Sequence, residues 1–133
     1  MVGLCKHDGL SKYLAERQAG KGCVSPDGSI TLVFDGRYRV ACLGMSNGEL
    51  LLEARVCELP AGAAPRSSLL EALLLQSGRA LERHGEWMTM TPDRQTLVLQ
   101  QTLPVLATVM DVEVRLENFI NALANWRRLA GVL

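Results

Sequence analysis

Short apolar runs between Ser25 and Val56 predict three consecutive β-strands, because pairs of turn residues separate them. Asp35-Gly36 is typical of a two-residue turn, since both central residues of a type I′ turn need positive φ. It predicts the pairs Phe34 with Arg37, Leu32 with Arg39 and Ile30 with Ala41. Ser46-Asn47-Gly48 is typical of a three-residue loop. It predicts the pairs Leu43 with Leu51, Cys42 with Leu52, Val40 with Ala54 and Tyr38 with Val56.

This register divides the three strands into two faces, because cross-strand partners share a face and neighbours along a strand alternate. The expected core face carries Thr31, Val33, Tyr38, Val40, Cys42, Leu50, Leu52, Ala54 and Val56. The second face carries Ile30, Leu32, Phe34, Ala41, Leu43 and Leu51 beside several charged residues. Such a mixed face must be covered, either by a helix of the same domain or by a partner. The register also places Arg39 opposite Arg55, an unfavourable like-charge pair.

The helical spacing of Leu10, Tyr13 and Leu14 predicts a first helix before these strands. After the strands, the connector Pro60 to Pro65 precedes a Leu-rich helix. Ser68 and Glu71 fit a capping box that opens this second helix.

A second hairpin, Trp87 to Met90 with Thr96 to Gln101, follows the Leu-rich helix. Asp111 is expected to be the N-cap of a last helix, in which apolar residues recur at intervals of three and four. The predicted order is therefore α-β-β-β-α-β-β-α. It indicates an α+β fold, a twisted antiparallel sheet with helices packed on it, in a single domain over residues 1–133.

The composition narrows the class of partner. With 14 basic and 14 acidic residues the formal net charge is zero, so nucleic acid and anionic membrane are not expected as partners. Hydrophobic residues reach 48% with only 5% aromatic, and the excess of Leu favours a subunit interface. No run approaches the roughly 20 apolar residues that span a bilayer. Charges within residues 1–17 argue against a secretory leader, so we expect a cytoplasmic protein.

The sequence contains no common catalytic or nucleotide-binding motif, so enzyme is the weaker class. The four cysteines lack metal-ligand spacing and are expected to be reduced, small apolar residues. His7 and His84 are interpreted as surface residues without a role. Glu82, Glu86 and the acidic residues elsewhere are separated by Arg or Lys, and they are interpreted as solvated. No metal or cofactor is expected.

The order of these elements and turns is similar to that of a known protein family. The stretch Asp27-Gly28-Ser29-Ile30-Thr31-Leu32-Val33-Phe34-Asp35, a strand, an Asn-Gly turn, Leu50-Leu51-Leu52 and a proline-bearing connector before a Leu-rich helix follow one another. In this the chain resembles the CesT-like (Tir chaperone) family of class I type III secretion chaperones. Members of that family are typically acidic, whereas this chain is neutral.

The resemblance implies a small bacterial cytoplasmic homodimer that takes part in virulence. It would bind the N-terminal chaperone-binding segment of a secreted effector and keep it soluble and secretion-competent. An added strand beside Ile30 to Phe34 would suit such a segment. The expected effector-binding residues are Leu10, Tyr13, Leu14, Ile30, Leu32, Phe34 and Leu43. By resemblance, the expected dimer interface consists of Leu69, Leu73, Leu74, Trp87, Met88 and Met90.

Two alternatives remain open from the residues themselves. One is a dimeric α+β adaptor that binds another peptide or protein. The other is a small enzyme that uses a dimer cleft through Cys23 or His84, which a thiol of depressed pKa would signal.

Overall fold

A computed structural model of the protein describes residues 7–17, 23–24 and 28–131. Its elements in chain order are α1 (Asp8–Arg17), β1 (Cys23–Val24), β2 (Ile30–Phe34), β3 (Tyr38–Gly44), β4 (Leu50–Glu58), α2 (Ala63–His84), β5 (Trp87–Met90), β6 (Thr96–Leu103) and α3 (Val109–Leu129). The strands form one antiparallel sheet in the order β1-β2-β3-β4-β6-β5. The predicted α+β order is confirmed, with the two-residue β1 as an addition.

The turn between β2 and β3 differs from the sequence prediction by one residue. Asp35 and Gly36 have φ of 53° and 65°, as predicted, and the N–H of Arg37 donates to the carbonyl of Phe34 at 3.1 Å. However, Phe34 pairs with Tyr38, so Arg37 belongs to the loop. Because side chains alternate along a strand, this single residue moves every side chain of β2 to the opposite face.

The predicted faces of β2 are therefore wrong. Leu32 pairs with Val40 and is 1% exposed, whereas Val33 is 48% exposed on the other side. Ile30 and Phe34 lie on the same side as Leu32 and pack against the core. Thr31 and Val33, which were expected in the core, lie on the opposite face.

The predicted register of β3 with β4 is confirmed where the structure pairs them. Leu43 pairs with Leu51 and Cys42 with Leu52, and the pairs run from Gly44 with Leu50 to Ala41 with Glu53. The pairing recorded between the strands ends before Arg39 and Arg55 would face each other. The core face of these strands is buried as predicted, at Tyr38, Val40, Cys42, Leu50, Leu52, Ala54 and Val56.

The last helix, α3, supplies the largest part of the cover on this face. Its buried side chains recur at helical spacing: Val112, Leu116, Phe119, Leu123 and Trp126. They form one cluster with the core-face residues of β2, β3, β4 and β6. The opposite face of the sheet, which we call the outer face, includes Val33, Leu43, Leu51, Glu53 and Gln100.

Both predicted helix starts are wrong by a few residues. Thr108 rather than Asp111 is the N-cap of α3, and Asp111 closes a reciprocal capping box at the third helical position. The N–H of Thr108 donates to Asp111 Oδ2 at 2.9 Å, and this contact holds the pKa of that carboxyl below its ordinary value. The second helix begins at Ala63 rather than at Ser68 and so includes Pro65, which the first turn of a helix tolerates.

The first helix is attached to the loop between β6 and α3 by its N-terminal turn. His7 is 2% exposed, and its Nδ1 accepts the N–H of Leu10 at 3.1 Å while Nε2 lies 2.8 Å from the carbonyl of Pro104. A ring that accepts at Nδ1 carries its proton on Nε2, so it donates to Pro104. The interpretation of His7 as a surface residue is therefore wrong, because His7 caps α1 and ties it to the loop after β6.

Gly9 allows this close approach. A Cβ at Gly9 would overlap the carbonyl oxygen of Ala107, a backbone atom that has little freedom to move. The helix can therefore dock on this loop only where residue 9 has no side chain.

We expect Gly9→Ala to lower the free energy of unfolding by about 1–3 kcal/mol, because the added methyl forces α1 away from Ala107. Chemical denaturation followed by circular dichroism measures it. The matched control is Gly78→Ala in α2, where an added Cβ meets no atom within 4 Å. That change removes a flexible residue from a helix and is expected to stabilise by about 0.5–1 kcal/mol. Equal effects of the two substitutions would contradict the close approach.

Candidate functional site

The outer edge of β2 is the first candidate surface. β1 pairs with β2 at Ile30 and Thr31. Among the described residues, no strand pairs with the same edge from Leu32 to Phe34. We call this three-residue stretch the open edge. A strand edge without a neighbour presents backbone N–H and C=O groups that another polypeptide can bind.

The expected effector-binding residues are divided by their burial. Leu10, Tyr13 and Leu32 are 0%, 6% and 1% exposed, so they belong to the interior of the protomer. The partly buried Leu14, Ile30 and Phe34 pack against the same cluster. Six of the seven residues are thus brought together on the core side of the sheet.

Leu43 is separate from the other six, because it pairs with Leu51 on the outer face. Leu43 was predicted on the same face as Phe34 because of the one-residue error in the first turn. The same error hid Val33, which lies on the open edge and is nearly half exposed. A three-residue turn after Phe34 is the signal that would have shown its position.

The expected dimer residues also differ in exposure. Leu73 is 3% exposed in the core, and Leu69 and Met88 pack partly against it. Leu74 is 67% exposed and Met90 is 39% exposed. α2 and the neighbouring strand β5 therefore carry apolar side chains that pack in the core and other apolar side chains that are exposed to solvent.

Leu75, which is 69% exposed, was not among the expected interface residues. The signal was present in the sequence, because three consecutive leucines, Leu73 to Leu75, cannot all face one core from a helix. Leu74 and Leu75 together form an exposed apolar patch on α2.

A chain of polar side chains crosses the outer face from β5 to β4. The indole N–H of Trp87 donates to Gln100 Oε1 at 2.9 Å, and Gln100 Nε2 donates to Glu53 Oε2 at 2.5 Å. All three groups are partly buried. The chain fixes the orientation of Trp87, the predicted interface aromatic, at the β5 edge of the sheet.

A groove of about 520 Å³ lies between α1 and the loop that joins β6 to α3. Exposed apolar side chains of this loop and of the first turn of α3 line one wall, with Leu106 90% and Met110 64% exposed. Asp8, Lys12 and Glu16 of α1 contribute polar and charged groups to the lining. This loop was not predicted as part of a site, although the run Pro104 to Met110 contains four large apolar residues.

A second, larger groove of about 1090 Å³ has both polar and apolar lining from α2, β6 and α3. Glu86 is 4% exposed and Gln101 is 4% exposed within this lining. The interpretation of Glu86 as a solvated carboxylate is therefore wrong.

The described cysteines are buried thiols. Cys42 is 0% and Cys57 is 7% exposed, and burial raises the pKa of the Cys57 thiol above its ordinary value. A catalytic thiol needs the opposite shift. The side chains of Cys23 and His84, on which the enzyme alternative depended, lie outside the described part of the chain. Within the described side chains, no three His, Cys, Asp or Glu residues group as a metal ion requires.

The sequence pattern of the Tir chaperone protein (CesT) family matches residues 22–127. The chain belongs to this family. The resemblance stated from the turns and apolar runs is thereby confirmed. Among the solved structures with a similar fold are a chaperone-effector complex and a complex from a type III secretion system.

The fold is similar to those of solved complexes. The structure of the HopA1-SchA chaperone-effector complex matches with a TM-score of 0.68 and 14% identity, over 90% of this chain and 91% of that chain. The ExsC-ExsE complex matches with a TM-score of 0.68 and 20% identity, over 94% and 97%. The heterodimeric ExoU-SpcU complex of the Pseudomonas aeruginosa type III secretion system matches with a TM-score of 0.66 and 14% identity, over 89% and 94%.

No curated protein sequence matches the chain closely enough to count as a relative. Across the described residues, no helix combines the length and the apolarity needed to cross a bilayer.

We expect Cys57 to react slowly with a thiol reagent at neutral pH and faster only as the pH rises above the ordinary thiol pKa. The reason is that the thiolate is the reactive form and burial raises the pKa of this thiol. Mass spectrometry of labelled native protein, digested after the reaction, measures the rate at each cysteine. The unfolded protein is the control for full reactivity. Native labelling of Cys57 at neutral pH as fast as in the unfolded chain would contradict this description of the site.

Proposed function

We propose that this Tir chaperone family member binds the N-terminal segment of a secreted effector protein in the bacterial cytoplasm. It keeps that segment unfolded, soluble and competent for type III secretion, and it acts by binding rather than by catalysis. Family membership supports the chaperone role. The structural neighbours, among them a chaperone-effector complex, support the kind of partner.

The observation that carries the proposal is the open edge of β2. An extended effector segment added beside Leu32 to Phe34 would form backbone hydrogen bonds without requiring a particular sequence. Its alternate side chains would face the partly buried Ile30 and Phe34 on one side and Val33 on the other. In this proposal Leu10, Tyr13 and Leu32 do not contact the effector. They form the buried cluster against which Ile30 and Phe34 pack, and Leu14 packs against the same cluster.

The choice of variants follows from burial. Leu32→Asp would place an unpaired charge in the core, so a loss of binding would report unfolding rather than a lost contact. Phe34 and Val33 are the residues at which a charge tests the surface with least damage to the core.

We expect Val33→Asp and Phe34→Asp each to weaken effector capture at least about tenfold, because a carboxylate beside the added strand loses its hydration without a partner. Affinity purification of the tagged chaperone from its own cells, with quantitative mass spectrometry of the captured polypeptide, measures it. The matched control is Met45→Asp, which changes a comparably exposed apolar residue in the β3–β4 turn. Capture that is unchanged in both test variants, with their melting temperatures preserved, would remove the open edge from the proposal.

We also infer that the protein forms a homodimer through α2 and β5. The support is the free apolar area of Leu74 and Leu75 on α2 and of Met90 on the neighbouring strand β5. Exposed leucines on two consecutive positions of a helix are costly in a monomer and favourable in a subunit contact. Leu69, Leu73 and Met88 support this surface from the core side, and the hydrogen bond of Trp87 holds its ring in place.

Substitutions at the exposed Leu74 and at the buried Leu73 distinguish an effect on dimer formation from an effect on folding. We expect Leu74→Asp to reduce the native mass from twice 14.5 kDa to one protomer while the chain stays folded. Leu73→Ala is expected instead to cost about 2–5 kcal/mol of stability through the cavity it leaves in the core. Native mass spectrometry and thermal unfolding distinguish the two results. A dimer that persists in Leu74→Asp would contradict an interface through α2.

A further inference from the structure

Two arginines lie against one tyrosine at the end of the open edge. The guanidinium of Arg37 lies 5.1 Å from the centroid of the Tyr38 ring, and that of Arg127 lies 5.6 Å from it. Both distances are within the range of a cation–π contact. Arg37 comes from the β2–β3 turn and Arg127 from the last turn of α3, so the fold brings together charges that are far apart in sequence.

Arg127 is held by the backbone of β4. Its Nε and Nη2 donate to the carbonyl of Arg55 at 3.1 and 2.8 Å. This contact lies beside the irregularity in β4, where the pairing with β6 shifts between Arg55 and Cys57. The guanidinium is therefore fixed in position, and it has further N–H donors beyond the two that Arg55 occupies.

This cluster has more arginines than carboxylates paired with them. Among the described residues, neither Arg37 nor Arg127 forms an ion pair with a carboxylate, and Glu58 pairs with Arg55 at 3.2 Å. Partial burial lowers the pKa of the Arg127 guanidinium, Tyr38 opposes this shift, and the charges of Arg37 and Arg55 add to it. Asp35 is the acidic residue of the β2–β3 turn, and Arg39 on β3 is also exposed. We call Arg37, Tyr38, Arg55 and Arg127 the arginine rim.

The balance of charge over the whole chain limits what the rim can attract. The protein has 14 basic and 14 acidic residues, so it lacks the overall positive field that nucleic acids require for tight binding. A local cluster on a neutral protein acts over about one Debye length, roughly 8–10 Å. It is suited to a few carboxylates on a polypeptide that is already held next to it.

The open edge supplies that position. Leu32 to Phe34 runs directly into the turn that carries Arg37. A polypeptide paired with this edge that continues past Phe34 reaches the rim with its next residues, since a strand advances about 3.3 Å per residue.

From this continuity we infer that the arginine rim binds an acidic stretch of the effector, directly adjoining the part that pairs with the open edge. The inference rests on the proposed function, and it adds a charge requirement and a direction to it. Guanidinium groups bind carboxylates through two parallel hydrogen bonds, so the rim selects Asp or Glu at this point of the bound segment.

Two synthetic peptides test the inference without knowledge of the effector. Both carry the same labelled, extended segment of alternating Val and Thr, and they differ only in a tail of Glu or of Gln. We expect the wild-type dimer to bind the Glu-tailed peptide at least about tenfold more tightly at low salt, in line with charge-assisted hydrogen bonds. The preference is expected to decline as the salt concentration approaches about 1 M, because screening shortens the range of the charges. Fluorescence anisotropy measures both affinities.

Variants assign the effect to the rim. Arg37→Glu is expected to abolish the preference for the Glu tail, and Arg37→Gln to reduce it. The matched control is Arg94→Glu, which makes the same change of charge at an exposed position. Arg94 lies in the β5–β6 turn, at the edge of the sheet opposite to β2. Arg94→Glu is expected to keep the preference. Thermal unfolding verifies that Arg37→Glu remains folded, and Arg37→Gln keeps the test valid if it does not.

The outcomes separate the two proposals. If the Gln-tailed peptide binds and the Glu tail adds nothing, the rim inference is overturned while the open edge stands. If neither Val33→Asp nor Phe34→Asp weakens binding of the Gln-tailed peptide, the open edge is not the binding surface. The rim is then still tested by whether Arg37→Glu abolishes the preference for the Glu-tailed peptide that the wild type shows. Tighter binding of a labelled single-stranded DNA than of the Glu-tailed peptide, lost in Arg37→Glu, would overturn the inference in favour of a nucleic-acid site.

Discussion

Among the described residues, the helices contribute their buried side chains to one face of the sheet, so each strand must direct its core side chains to that face. Because side chains alternate along a strand, the loops between strands decide whether this condition is met. The turn after Phe34 has three residues, and this length places Leu32 next to Val40 in the core. A two-residue turn would instead have buried Val33 and exposed Leu32. The position of Arg37 outside the strands follows from the same turn.

The interior and the candidate surfaces are therefore linked through the register of β2. The strand that gives Leu32 to the core also carries the open edge, which we propose as the binding surface for an effector segment, and it ends beside the arginine rim. At the opposite edge of the sheet, α2 has the same double role, with Leu73 in the core and Leu74 exposed. Substitutions one residue apart consequently test different properties of the protein, and the interpretation of any variant depends on knowing which side its residue faces.

The sequence was sufficient for the order of elements and for most of the core, and physical reasons explain where it was not. The loop at Asn47-Gly48 determined the pairing of Leu43 with Leu51, because both its residues and its length were recognisable. At Asp35-Gly36 the positive φ values were predictable, but a glycine turn does not show whether the next residue joins the strand. His7 and Glu86 were misjudged because burial of a polar residue depends on tertiary partners such as the carbonyl of Pro104. The arginine rim was not foreseeable either, since Arg37 and Arg127 meet only through the packing of α3 on β4.

The placement of the two tryptophans has a consequence for studying the protein in solution. Trp126 is 3% exposed in the core, whereas Trp87 is half-buried at the β5 edge with its indole N–H bound to Gln100. The emission of Trp126 depends on the dry interior beneath α3, and that of Trp87 depends on what covers the edge of the sheet. Replacing either one by phenylalanine leaves a single fluorophore. The protein thus contains two intrinsic optical probes, one for loss of the folded core and one for the arrival of a second molecule.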